Sequence, residues 1–179
     1  MKDKILQSEF LQNKIIKNNI WKNEKLYYSI WALNLFLYLT LTQSELTYIS
    51  GTSLVYKLIQ LISIGIIFLK FIIVEDKKSK FFKYSIIIFI LISIVTLKSR
   101  STFWVTQFIF ILGAKDTNFD KLLKVDIITK LVSLVVVILL LVFNIINNFT
   151  STINGSFKQG LGFIHPNILA VIFISILIE

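Results

Sequence analysis

The chain has 179 residues, of which 55% are hydrophobic, a mean hydropathy of +0.78 and a formal net charge of +9. It contains no Cys, which excludes disulfides and thiolate metal sites, and a single His without a dense acidic cluster argues against a metal centre. The apolar residues form long blocks instead of an amphipathic period, so the predicted fold class is all-α, a polytopic helical membrane protein. The excess of Lys then belongs to cytoplasmic loops, and no nucleic-acid partner is predicted.

The apolar blocks divide the chain into a short basic segment and a transmembrane domain. Residues 1–25 interleave Lys with apolar residues and predict a loosely amphipathic helix on the inner leaflet. Residues 26–179 predict five complete transmembrane helices, at residues 26–41, 54–74, 82–97, 102–113 and 127–146. A sixth apolar run follows Asn167 and reaches Glu179 after about 11 residues, which is too short to cross a bilayer. We therefore expect a truncated sixth helix and the N-terminal half of a larger domain.

The basic residues predict which side of the membrane each loop faces. Thirteen Lys lie in the predicted cytoplasmic segments, whereas the predicted outer loops hold three basic residues, Lys98, Arg100 and Lys158. This asymmetry predicts a multi-pass protein of the cell membrane with a cytoplasmic N-terminus. The loop of residues 42–53 contains neither Lys nor Arg and is predicted to face outward, as is the long loop of residues 147–164.

Polar residues near the ends of the predicted spans have simple structural interpretations. Lys70 lies where a long side chain can extend along the helix to water. Asp126 and Lys130 are four residues apart and can pair along one helix. Asp116 or Asn118 can cap a helix in the connector after the fourth span.

The stretch of residues 158–167 combines the only His of the chain with its only Pro at the point where an outer loop re-enters the membrane. Pro166 suits the first turn of a helix, because its missing N–H would have no partner there. The residues expected at this helix N-terminus are Gly160, Gly162, His165 and Asn167. Exposed N–H groups and the positive end of the helix dipole suit a phosphate or a carboxylate. The alternative is an ordinary helix cap, with glycines that give the loop flexibility.

The tight turn of residues 98–101 departs from the charge rule. If the spans alternate, Lys98 and Arg100 lie on the outer face, against the tendency of basic residues to stay inside. They can bind an anionic lipid-linked substrate, and the Arg100 guanidinium is the better fork for phosphate. The alternative is that both side chains simply extend to water from a short hairpin.

The stretch Lys158-Gln-Gly-Leu-Gly-Phe-Ile-His-Pro-Asn167 resembles the (Arg/Lys)-x-Ser-(Leu/Phe)-Gly-Phe-x-His-Pro-Asn motif of Wzy-like polysaccharide polymerases, within the O-antigen ligase and polymerase group. Residues 111–124 are similar to the connector after the fourth helix of that family. The resemblance sets residues 26–179 against the N-terminal half of a family member. It implies polymerisation of lipid-pyrophosphate-linked oligosaccharide repeat units into cell-surface polysaccharide, by a glycosyltransferase-type reaction at the outer face of the membrane.

Carried over residue by residue, the resemblance assigns the candidate site. Lys158 stands where the family commonly has Arg, and the last three residues of the motif match directly. The implied roles are pyrophosphate binding by Lys158 and Arg100, substrate binding by Gly162, and orientation of a sugar hydroxyl or helix capping by Asn167. His165 is the candidate catalytic residue, which positions substrate or transfers a proton.

The implied partners are the polyprenyl-pyrophosphate-linked oligosaccharide and the lipid bilayer, with a flippase or a chain-length regulator as further partners, and no cofactor is expected. Two alternatives stay open. The chain can be a small non-enzymatic membrane protein of an accessory or immunity type, or an inactive truncated product. As the front half of an enzyme, the fragment alone is expected to be inactive.

Overall fold

The computed structural model describes residues 23–99, 102–148, 150–153 and 156–178. Its helices are α1 (Glu24–Leu37), α2 (Thr52–Val74), α3 (Lys80–Ser99), α4 (Phe103–Ala114), α5 (Phe119–Val142) and α6 (Pro166–Ile178), and its strands are β1 (Thr150–Ile153) and β2 (Ser156–Gln159). The helical fold predicted from the apolar blocks is confirmed. The short β-hairpin was not predicted by the sequence pattern. The amphipathic helix predicted for residues 1–25 lies almost entirely outside the described residues.

Three of the described helices are long and apolar enough to cross a membrane. They are α2 with 23 residues, α3 with 20 and α5 with 24, and each contains a strongly hydrophobic window of 18 residues. At a rise of about 1.5 Å per residue, each matches or exceeds the roughly 30 Å of bilayer hydrocarbon. Their outward surfaces are dominated by Ile, Leu and Val, which is the surface that lipid chains solvate.

The prediction of five complete spans is not supported. The α-helical part of the first predicted span, α1, has 14 residues, and the fourth, α4, has 12. These lengths correspond to about 21 Å and about 18 Å, which fall short of the hydrocarbon thickness. Helix α4 ends at Ala114, where the Lys115 N–H donates to the Leu112 carbonyl at 3.4 Å and tightens the last turn.

Helix α1 passes into a π-helical turn, Tyr38–Thr42, before it ends. The Gln43 N–H donates to the Tyr38 carbonyl at 3.1 Å, five residues earlier, instead of the usual four. The Thr40 and Thr42 hydroxyls donate back to carbonyls four residues earlier. The Tyr38 carbonyl thus accepts both from the Gln43 N–H and from the Thr42 hydroxyl.

Helix α5 has a well-defined beginning and end. Asn118 is its N-cap, since its side-chain oxygen accepts from the Lys121 N–H at 3.0 Å, so Asn118 rather than Asp116 makes the predicted cap. At the other end Asn144 has φ +55°, its N–H donates to Leu141, and the Ile145 N–H donates to Leu140. This pattern is a Schellman motif, with Asn in the left-handed position usually held by Gly.

The described chain forms two compact units. The first contains residues 23–27 and 63–117, and the second contains residues 28–62 and 118–178. In the second unit α5, α6 and the segment after α1 share a buried cluster, formed by Leu39, Leu134, Val137, Ile146, Phe163 and Ile172. This cluster supports the loop that precedes α6.

The predicted pairing of Asp126 with Lys130 is confirmed. The two side chains form an ion pair within α5, and both are nearly buried. The Trp31 indole N–H from α1 donates to the other carboxylate oxygen at 2.8 Å. A charge inside an apolar helix pair requires such partners, because an uncompensated buried charge is costly.

Lys70 behaves differently from the prediction that it extends to water. It is buried in the first unit, where its Nζ lies 3.4 Å from the Gly113 carbonyl oxygen and 5.4 Å from the centroid of the Tyr27 ring. A cation at the C-terminus of α4 complements the helix dipole, and the ring face adds a cation–π contact. Lys70 thus stabilises the end of a short helix.

Replacement of Gly113 by Ala is expected to destabilise the first unit. A Cβ at this position would lie 2.4 Å from the Ile67 Cγ2 and 2.9 Å from the Tyr27 Cε2, so backbone or core must move. Overpacking of this kind costs about 1–3 kcal/mol. Gly65→Ala is the control, since nothing lies within 4 Å of its added Cβ, and it should be neutral or gain up to about 1 kcal/mol. Unfolding in mixed micelles, followed by Trp fluorescence, measures both; equal stability of the two variants would contradict the tight packing.

Candidate functional site

Two predicted outer loops are joined by backbone hydrogen bonds. The Glu45 N–H donates to the Gly162 carbonyl at 2.9 Å, and the Ile164 N–H donates to the Gln43 carbonyl at 3.0 Å. These bonds make an isolated antiparallel bridge centred on Ser44 and Phe163. The motif that precedes α6 is therefore held against the loop that follows α1.

The inner side of this bridge is closed. Ser44 and Phe163 are both 0% exposed. The Ser44 hydroxyl donates to the Thr40 carbonyl and accepts from the Leu46 N–H at 3.2 Å, while Phe163 packs in the apolar cluster of the second unit. A fully buried hydroxyl with both functions used is a structural anchor.

Residues 160–163 form a tight turn. The Phe163 N–H donates to the Gly160 carbonyl at 3.0 Å, and the two central residues have positive φ, +46° at Leu161 and +86° at Gly162. This is the pattern of a type I′ turn. A Cβ on Gly162 would also lie 2.9 Å from Val137 Cγ1, so this position requires Gly for conformation and for space. Gly162 is buried, and its part in the site is to shape the loop.

His165 is the N-cap of α6. The helix begins at Pro166, which confirms the predicted position of Pro in the first turn, and the Ile168 N–H donates to the His165 carbonyl at 3.0 Å. The Asn167 N–H donates to the His165 Nδ1 at 3.2 Å. The imidazole thus takes the place that Ser, Thr, Asp or Asn usually holds.

This cap assigns the tautomer of His165. A ring nitrogen that accepts a hydrogen bond carries no proton, so in the neutral ring the proton is on Nε2. The Nε2–H can donate to a phosphate or sugar oxygen. A proton on Nδ1 would face the Asn167 N–H and remove the cap. The geometry therefore favours hydrogen-bond donation by His165 over proton acceptance.

The other predicted site residues are placed to different degrees. Asn167 is exposed and follows Pro166 in the first turn of α6. Lys158 lies on β2, opposite Ser151 of β1, in the hairpin that leads into the motif. Lys98 is exposed in the last turn of α3, and Arg100 lies outside the described residues. The second unit thus brings together Gly162, His165 and Asn167.

Gln43 and Glu45 were not among the predicted site residues. Both are partly exposed and flank the bridge that holds the motif. The available signal was the absence of Lys and Arg from the loop of residues 42–53, which predicted the same outward side for both loops. Backbone pairing between the loops has no side-chain signature, so the sequence did not show their contact.

A second polar region lies in the first unit and has a different character. A shallow, open depression is lined by Lys70, Phe71, Val74, Glu75, Leu112, Gly113, Lys115 and Asp116. Lys115 pairs with Glu75 at 2.5 Å, and its Nζ lies 4.2 Å from the centroid of the Phe81 ring. Two cations and two carboxylates balance here, so the lining has no net charge with which to attract an ion.

Comparison with protein-family models, with curated proteins and with solved structures gives no match to this chain. The described structure is a helical fold with three helices long and apolar enough to cross a membrane, and with a His-capped helix next to the loop that follows α1. The likeness to the polysaccharide polymerases rests on the motif of residues 158–167.

Loss of the His165 side chain is expected to weaken the start of α6. His165→Ala removes the N-cap acceptor and should lower the free energy of unfolding by about 1 kcal/mol, whereas His165→Ser keeps a capping oxygen and should restore most of it. Unfolding in mixed micelles measures the difference. Because the chain has one His, ¹⁵N NMR of the labelled imidazole reports its tautomer without overlap. A proton on Nδ1 would contradict the cap.

Gly162→Ala is expected to destabilise the loop more than Gly51→Ala. Both glycines have positive φ, +86° and +92°, so both variants carry a conformational penalty of about 1–2 kcal/mol. Only Gly162 also meets Val137 and Ile146 at 2.9 Å, which adds an overpacking cost of about 1–3 kcal/mol. Thermal unfolding of the two variants isolates the packing contribution. Equal losses would show that Gly162 is needed for its φ alone.

Proposed function

We propose that this chain belongs to the Wzy-like polysaccharide polymerases and acts in the polymerisation of lipid-pyrophosphate-linked oligosaccharide repeat units. The observation that carries the proposal is the fold of the motif. Its Gly residues build a tight turn, its Phe is an anchor, and its His and Pro begin an apolar helix. Each motif residue therefore has a definite position at one loop.

The chemistry of the reaction suits this arrangement. A pyrophosphate is a good leaving group that departs as an anion, so it needs positive charge and hydrogen-bond donors rather than a proton. The N-terminus of α6 offers the positive end of the helix dipole, and His165 offers its Nε2–H. In this proposal Lys158 adds positive charge, and Asn167 contacts a sugar hydroxyl.

The proposed topology follows from the charges of the loops. With thirteen Lys in the segments assigned to the cytoplasm, the N-terminus lies inside and the His-Pro-Asn motif lies at the outer face. The proposed location is the cell membrane, where lipid-linked oligosaccharides are presented after transfer to the outer face. A flippase that supplies them and a regulator of chain length are the proposed partners.

The test is binding of a polyprenyl-pyrophosphate oligosaccharide to the purified chain in lipid nanodiscs. His165→Ser keeps the helix cap but removes the Nε2–H, and the loss of a hydrogen bond to a charged group should weaken binding about ten-fold or more. Lys57→Gln is the control. Lys57 is exposed and lies near the predicted outer end of the second span, so this variant should bind the oligosaccharide as the wild type does.

Two results would reject the proposal. One is that the wild-type chain binds neither the polyprenyl-pyrophosphate oligosaccharide nor the lipid monophosphate at the same concentrations. The other is equal binding by the wild type and His165→Ser, which would leave the motif with a structural role only.

A further inference from the structure

The proposed reaction needs a proton acceptor as well as stabilisation of the leaving group. A sugar hydroxyl is a weak nucleophile, and it must lose its proton as it attacks the anomeric carbon of the donor. In the described geometry the Nε2 of His165 already carries a proton and cannot accept another. Its Nδ1 accepts the Asn167 N–H, and a proton there would break this hydrogen bond. Another group near the motif must take this role.

Glu45 lies beside the motif and is partly exposed. The bridge places Glu45 opposite Gly162, because Ser44 and Phe163 form the central pair and the chains are antiparallel. Ser44 and Phe163 are fully buried, whereas Glu45 begins a short 3-10 helix, Glu45–Tyr48, in which no residue is buried. The side chain of Glu45 therefore has access to solvent, next to a residue that has no side chain to cover it.

The carboxylate of Glu45 has no structural task in the described part of the chain. Within those residues it makes no hydrogen bond and no ion pair, and it is partly exposed. Glu75 and Asp126, by contrast, are held by Lys115 and Lys130. An unpaired carboxylate keeps the lone pairs that a general base needs.

We infer that Glu45 is the general base of the polymerisation, an inference that rests on the function proposed above. The hydroxyl oxygen of the acceptor sugar forms a bond to the anomeric carbon of the donor, and the hydroxyl proton passes to the Glu45 carboxylate. The bond between that carbon and the pyrophosphate oxygen breaks, and its electron pair leaves with the lipid pyrophosphate. His165 donates a hydrogen bond from its Nε2–H to this leaving group and keeps its proton.

The chain spacing between the bridge and His165 allows Glu45 to act on the acceptor sugar while His165 acts on the donor. His165 is three residues after Gly162, the bridge partner of Glu45, and three extended residues span at most about 10 Å. This limit keeps both residues within reach of one sugar and its phosphate. Glu45 would contact the acceptor and His165 would contact the donor.

The experiment compares Glu45→Gln with the wild type in two assays, donor binding by this chain and polymer formation by an intact polymerase that carries the same motif and bridge. Polymer formation from the lipid-linked repeat unit should fall by about a hundred-fold or more, since a general base contributes 10²–10⁴-fold to such rates. Binding of the polyprenyl-pyrophosphate donor in nanodiscs should be unchanged. Gln43→Ala alters the partly exposed residue on the other side of Ser44 and should keep both properties.

A structural role for Glu45 would give different results. For a general base, formate or acetate should partly restore polymer formation to Glu45→Ala. If the wild type polymerises and Glu45→Gln polymerises equally well, the role of Glu45 is overturned while the proposed function stands. If the wild-type chain does not bind the donor, the proposed function itself fails.

Discussion

The two hydrogen bonds across the Ser44 and Phe163 bridge are the constraint on which the second unit depends. They fix the residues that follow α1 against the residues that precede α6, and they satisfy four backbone groups next to a fully buried Phe. The tight turn at Gly162 and the cap at His165 then follow from the direction in which the chain leaves the bridge. Without these bonds the two loops would have no fixed register, because their side chains make few specific contacts.

The same requirement governs the polar groups inside the helices. Lys70 has a carbonyl and an aromatic ring, and Asp126 has both Lys130 and Trp31. In a medium without water, a polar group must find its partner within the protein. These pairings also explain why short helices persist among long apolar ones, since each pairing ties the end or the middle of a helix to a neighbour.

The sequence predicts the helices of this chain better than it predicts their ends. Long apolar blocks indicated α2, α3 and α5, because hydropathy over about 20 residues is a strong signal. The end of α5 depends on Asn144, whose left-handed conformation is less strongly indicated than that of Gly. The first predicted span is helical throughout, but its last turn is π-helical, which an apolar pattern does not distinguish from an α-helix. At the site, Pro166 was predictable from its own stereochemistry, whereas Glu45 comes near the motif through backbone bonds that any residue could make.

The π-helical turn at Tyr38–Thr42 makes the length of this segment significant. Such a turn contains one residue more than an α-helical turn, which makes it equivalent to an insertion. Deletion of one residue would rotate everything after it by about 100° and shift it by about 1.5 Å. Ser44 would then leave the core and the bridge would lose its register. Evolution of this stretch is therefore expected to accept changes of its exposed side chains more readily than any change in its number of residues.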